Sequence, residues 1–139
     1  MGDSYQGDIP GNIFQHTVYL PSRASDAANL IIPVMGKGHG VELLSAHVSP
    51  LTSQAGSATN FANLLLVNMG SGSTVGSTMA SYSLSATAQG IPALMDGELG
   101  VVAAAAAKGS AERMGLSYAS QGNGIALVAH SLHLAYRYT

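Results

Sequence analysis

The chain has no cysteine, no tryptophan and only two phenylalanines, and it carries five Lys and Arg against seven Asp and Glu. Each shortage removes a class of function. Without cysteine there is no disulfide framework, no thiolate metal site and no cysteine nucleophile. Charged residues are 9% of 139, against about 25% in an average domain. Arg23, Lys37, Lys108, Arg113 and Arg137 lie scattered. They make no basic stripe to neutralise phosphates, so no nucleic-acid partner is expected. A basic membrane-surface helix is missing for the same reason. The longest apolar stretch, residues 100–107, is too short to cross a bilayer as a helix. The glycine-rich polar start does not read as a signal peptide, and no membrane partner is expected.

What is present is a foldable apolar chain. Hydrophobic residues make up 47%, and there are 17 glycines. That length and composition suit one domain with its own core. So few charges protect a small protein poorly from self-association. Its surface is therefore expected to be rich in hydroxyls and glycine, or to be covered by partners.

Alternation and turn residues divide the chain into short strands. Residues 1–12 read as an extended N-terminal arm, and 13–139 as a single β domain. Strands are predicted at 13–21, at 29–34 with Pro33 marking an edge, at 40–51, 60–69, 78–88 and 111–120, and as a long closing strand over 125–139. In 40–51, Leu44, Ala46 and Val48 are placed on one face and Ser45, His47 and Ser49 on the other. In 60–69 both faces are apolar, which implies burial on both. Asp96-Gly97 reads as a turn. The alanine run 101–107 favours helix by propensity, but no amphipathic face can be drawn and it reads as a small-residue strand. Eight or nine strands at about ten-residue spacing are the pattern of an all-β sandwich or barrel. The expected fold is a single antiparallel, jelly-roll-like β-sandwich.

Candidate chemistry is thin. Gly36, Gly38 and Gly40 with Lys37 and His39 between them suggest a phosphate cradle. A P-loop, however, needs Gly-Lys-Ser/Thr opening a helix, whereas Gly38 follows Lys37 and a strand pattern follows the loop. A turn between strands is expected. The five histidines are His16, His39, His47, His130 and His133. His130 and His133 fall on opposite faces of a strand, while His47 approaches one of them across strands. Zinc needs three or four converging ligands, and polar sheet-face positions are the simpler reading. Asp96 and Glu98 are too few for calcium and make no glycosidase pair. No Gly-x-Ser-x-Gly elbow joins a strand to a helix. No catalytic, cofactor-binding or metal residue is assigned, and a non-enzyme is expected.

The segments "ANLIIPVMGKGHGVELLSAHVS" and "NFANLLLVNMGSGS", a hydroxyl-rich strand, an Ala/Gly region and the C-terminal "LVAHSLHLAYRYT" together resemble the small β-sandwich virion proteins of tailed bacteriophages. The likeness is greatest to capsid decoration, or cement, proteins. It lies in strand spacing, low charge and composition, with no diagnostic motif, and carries over no functional residue. It implies a non-enzymatic homo-oligomer, trimer favoured, on the outer capsid surface of a virion. The implied partners are the major capsid protein and its own copies, with the arm reaching a partner's sheet edge. Apolar faces in 60–69, the alanine run and Tyr136 and Tyr138 would supply contact area toward the roughly 1,600 Å² of a standard interface. A receptor- or carbohydrate-binding module of a tail or head fibre is the alternative; the missing tryptophan weighs against it and six tyrosines keep it open. An enzyme on a cupin-like scaffold is third, because the histidines show no metal-binding grouping.

Overall fold

A computed structural model describes residues 12–24, 30–72 and 76–139. The arm expected over 1–12 lies, except for Asn12, outside the described residues. Nine strands form among them: β1 Ile13–Leu20, β2 Leu30–Met35, β3 Val41–Pro50, β4 Phe61–Gly70, β5 Thr78–Ser83, β6 Gly97–Val101, β7 Ala107–Lys108, β8 Arg113–Gln121 and β9 His130–Tyr138. Every pairing is antiparallel. The order is β1-β9-β3-β6-β5-β4-β8-β2, with β7 added to β3. The sheet is nearly closed into a barrel-like shape, with β1 and β2 at the two ends of the order. Pro33 sits on one of those end strands, an edge position of the kind where proline is tolerated.

Strand β6 makes the curvature possible. Its Gly97, Glu98 and Leu99 pair with Val48, His47 and Ala46 of β3. Its Gly100 and Val101 then pair with Ser81 and Ala80 of β5. One short strand thus leaves one half of the sheet and joins the other, as corner strands do. The inner faces of both halves meet in a core of Leu43, Val48, Leu64, Leu66, Leu99, Met114, Leu116, Leu132 and Leu134, all buried. Each buried leucine contributes about 1.5–3 kcal/mol.

The strand pattern expected from alternation is met in outline, with local differences. A bulge between Leu43 and Ser45 shifts the register of β3 against β9. It leaves Leu43, Ala46 and Val48 buried and turns Leu44 outward, away from the face it was expected to share. In β4, Ala62, Leu64 and Leu66 join the core; on the other expected face Val67 and Met69 are buried while Phe61 and Leu65 are half-buried, so burial of both faces is met toward the end of the strand. Gly115 makes room there: a Cβ on it would lie 2.6 Å from Met69 Sδ and 2.8 Å from Ile31 Cγ2.

Four elements differ from expectation. The closing strand expected over 125–139 begins only at His130, and residues 125–129 belong to the connection from β8. The strand at 78–88 stops at Ser83, and a 3-10 turn follows at Thr87–Gln89. The alanine run is not a strand. Its Ala103–Ala105 form a 3-10 turn, because methyl groups alone give no apolar face to hold it in the sheet; only Ala106 is buried. The turn expected at Asp96-Gly97 falls earlier, where Met95 N–H donates to Pro92 C=O and Leu94 adopts φ 61°. Gly97 begins β6 instead.

Candidate functional site

The two ends of the barrel are built from different chemistry. At one end lie Leu20, Pro50, Tyr118 and His130, with the connection from β8 to β9 crossing beside them. Gln54, from the loop after β3, is 6% exposed. Its Nε2 donates to the carbonyls of Ala55 and Ala126, both at 3.0 Å, and its Oε1 accepts from Val128 N–H at 2.9 Å. Its backbone pairs with Ile91. Beside it, His130 Nδ1 lies 2.9 Å from Val128 C=O. A carbonyl only accepts, so Nδ1 carries the proton and Nε2 accepts the Tyr118 hydroxyl at 3.1 Å. Burial holds the imidazole below its ordinary value, partly offset by the Val128 carbonyl. Burial likewise pushes the Tyr118 phenol up, against the nearby Arg23. The Arg23 guanidinium lies 4.8 Å from the Tyr118 ring centroid. This end is sealed by a satisfied polar network.

At the other end, the glycine loop joins β2 to β3. It is the strand-to-strand turn expected: β3 follows, not a helix. Gly38 adopts φ 133°, which L side chains rarely take, and its N–H donates to Ser110 C=O. The loop does not close the barrel. A cleft of about 250 Å³ opens between β1 and the loop, lined by His16, Val34, Lys37, His39, Tyr136 and Tyr138 among others. His39 stacks on Tyr138 with centroids 4.5 Å apart, and Phe14 lies 5.1 Å from the same ring. Tyr136 and Tyr138 share one face, as the sequence implied. Lys108 also reaches the cleft, yet it is buried, and its Nζ donates to the carbonyls of His39, at 2.8 Å, and Glu112, at 3.2 Å. Burial lowers its pKa, and the Glu112 carboxylate partly restores it.

On the outer face, the cross-strand approach expected of His47 is met. His133 pairs with Thr17 on one side and His47 on the other, and His47 pairs with Glu98. Thr17 Oγ1 lies 3.2 Å from His133 Nδ1, and His47 Nδ1 is buried without a hydrogen-bond partner among the described residues. No group of three or more metal-ligating side chains converges there or elsewhere among the described residues. His130 lies on the opposite face from His133. Asp96 accepts the Ser49 hydroxyl, while Glu98 sits on β6, so the structure gives the two carboxylates separate surroundings.

A third feature lies beside the sealed end. Leu94, Met95 and Leu51 are 73%, 59% and 46% exposed. Leu94 N–H donates to Pro50 C=O, and Ala93 N–H donates to Ser53 Oγ, which fixes the Pro92–Met95 turn against the end of β3. Sequence reasoning did not single out Gln54, Tyr118 or Leu94. A glutamine in a polar loop carries no signal of burial, and a left-handed leucine none at all.

The chain matches no family model, no curated protein and no solved structure. Fold and site define a class only: an all-antiparallel, nearly closed β protein with one sealed end and one open end.

Proposed function

We propose that the chain is a non-enzymatic virion structural protein that decorates and stabilises a phage capsid shell. In this reading it lies on the outer capsid surface, contacts the major capsid protein and its own copies, and forms a homo-oligomer, a trimer by preference. The finer fold reading is a jelly-roll-like sandwich, supported by the way β6 divides the sheet into two facing halves. The observation that carries the function is the apolar corner. A bulky residue in the left-handed region costs about 1–2 kcal/mol, and here the hydrogen bonds of the turn keep Leu94 in that conformation, exposed beside Met95 and Leu51. Strain of this kind gathers where a surface meets a ligand or partner.

Mass spectrometry of intact capsids is expected to find the protein at high copy number. Shells assembled without it are expected to break at lower temperature, and Leu94→Asp with Met95→Asp is expected to abolish shell binding by the folded protein. Absence from intact heads ends this reading. A receptor- or carbohydrate-binding module of a tail or head fibre is the second reading, favoured by Tyr136 and Tyr138 at the open cleft; glycan-array binding would promote it.

A further inference from the structure

We propose that the open end of the barrel is a binding site for a small ring compound bearing a carboxylate. The site stands apart from the assembly reading, since the Leu94 corner contributes nothing to it.

Three observations fit together. The first is charge. Lys37 lines the cleft beside the imidazoles of His16 and His39, Lys108 forms part of its wall, and no carboxylate is among the described lining residues. Lys37 is exposed and forms no ion pair or hydrogen bond among the described residues. Lys108 has no donor to spare, because its ammonium is given to backbone carbonyls; it contributes positive potential rather than a contact. Glu112, the carboxylate nearest to Lys108 in effect, accepts from Gly109 N–H at 2.6 Å and from Asn68 Nδ2 at 2.8 Å. Those bonds hold its own pKa down and keep it committed outside the cleft. Glu42 is likewise committed, to Arg137 at 2.6 Å on the outer face.

The second is shape. The Tyr138 ring packs against both His39 and Phe14, with Tyr136 5.8 Å away. A prepacked aromatic wall offers a flat or hydrophobic ring a contact at low entropic cost. Val34, Met35 and Val41 add apolar lining. The third is size. A volume of about 250 Å³ is just below the usual range for ligand pockets, about 300–1,000 Å³. It suits one ring with its substituent. Barrel mouths are a common place for such sites.

The carboxylate would meet the Lys37 ammonium while the ring rests against the aromatic wall. Two sources share this chemistry, an aromatic acid and an acidic sugar. Titrating the full chain with benzoate, glucuronate, benzamide and glucose, read by amide NMR shifts, separates them. At least one acid is expected to bind, with Kd on the order of 1 mM, shifting the amides of Gly36, Gly38 and Gly40. Each acid that binds is expected to exceed its neutral counterpart by about tenfold. Binding by benzoate alone identifies an aromatic acid, by glucuronate alone an acidic sugar, and by both a general ring carboxylate. Lys37→Gln, on an exposed turn, is expected to fold normally and to weaken binding about tenfold. No binding by either acid, equal binding by the neutral compounds, or full affinity in Lys37→Gln overturns the proposal.

Discussion

The sealed and open ends of this barrel use the same residue types for opposite purposes. Each end has a histidine against a tyrosine. At the sealed end, His130 and Tyr118 are hydrogen-bonded, edge-on at 88° and buried. At the open end, His39 and Tyr138 are stacked at 30°, with His39 exposed on a glycine turn. The difference comes from what crosses each end. Gln54 and the β8–β9 connection stitch the first end together through three side-chain bonds and two backbone bridges. A five-residue loop with three glycines crosses the second and leaves a cleft. Polar groups in a low-dielectric setting stabilise a fold only when every one is satisfied. The sealed end meets that condition and the open end, facing water, does not need to.

The comparison breaks most sharply at Gln54. Gln54→Leu keeps the volume but leaves Val128 N–H and the Ala126 carbonyl without their partner. Each orphaned group costs about 1–3 kcal/mol. Urea denaturation is expected to show a loss of about 3 kcal/mol, and thermal melting a fall of roughly 10 °C. An unchanged midpoint would mean that the sealed end is not held by this network.

The next effect lies between the ends, on β8. Gly115→Ala drives a methyl group into Met69 and Ile31, with Ile32 C=O at 3.3 Å. Overpacking of this kind costs about 1–3 kcal/mol. Combining it with Met69→Ala is expected to recover part of the loss, which a double-mutant cycle measures. Tyr118→Phe is milder: it leaves His130 Nε2 buried without a donor, at about 1–2 kcal/mol.

How much of this was legible in the sequence follows from the range of each signal. Strand positions come from alternation and turn residues, which are local, and β1, β2, β4, β8 and the two-faced burial of 60–69 follow from them. Tyr136 and Tyr138 share a face for the same reason. The bulge after Leu43 was invisible, because a register shift depends on the partner strand β9 rather than on β3 itself. The alanine run misled because its burial depends on neighbours, and its methyl groups specify none. The glycine loop was legible as a turn, yet not as the rim of a cleft. That rim needs His16, Lys108 and Tyr138, which come from far apart in the chain. Lys108 in particular looks like a solvated charge in sequence and is 3% exposed in the fold.

Mild acidity, above the carboxylate range where Glu112 would also contribute, tests the sealed end. The His130 pKa is lowered by burial from 6.5. Below that value the unfolded chain takes up a proton that the folded chain refuses, so the stability present above it drains away as pH falls toward the lowered folded value. Denaturation midpoints are expected to fall between neutral pH and the mildly acidic range. His130→Gln is expected to flatten that slope even if it destabilises the protein overall. A slope unchanged in His130→Gln would assign the titration to another histidine.

The smallest effect is expected at the open end, and its smallness is the point. Lys37 is exposed and forms no ion pair or hydrogen bond among the described residues. Lys37→Gln should therefore leave stability within about 0.5 kcal/mol of the parent, whereas Gln54→Leu costs several times more. Removing one positive charge from a patch that already holds Lys108 should, if anything, relieve repulsion slightly. A loss of more than 1 kcal/mol would show that the loop is tied down through Lys37, and the cleft would then be part of the folding core. A null result on stability, beside a clear loss of carboxylate binding, would separate the two ends: one selected by what it holds together, the other by what it leaves open.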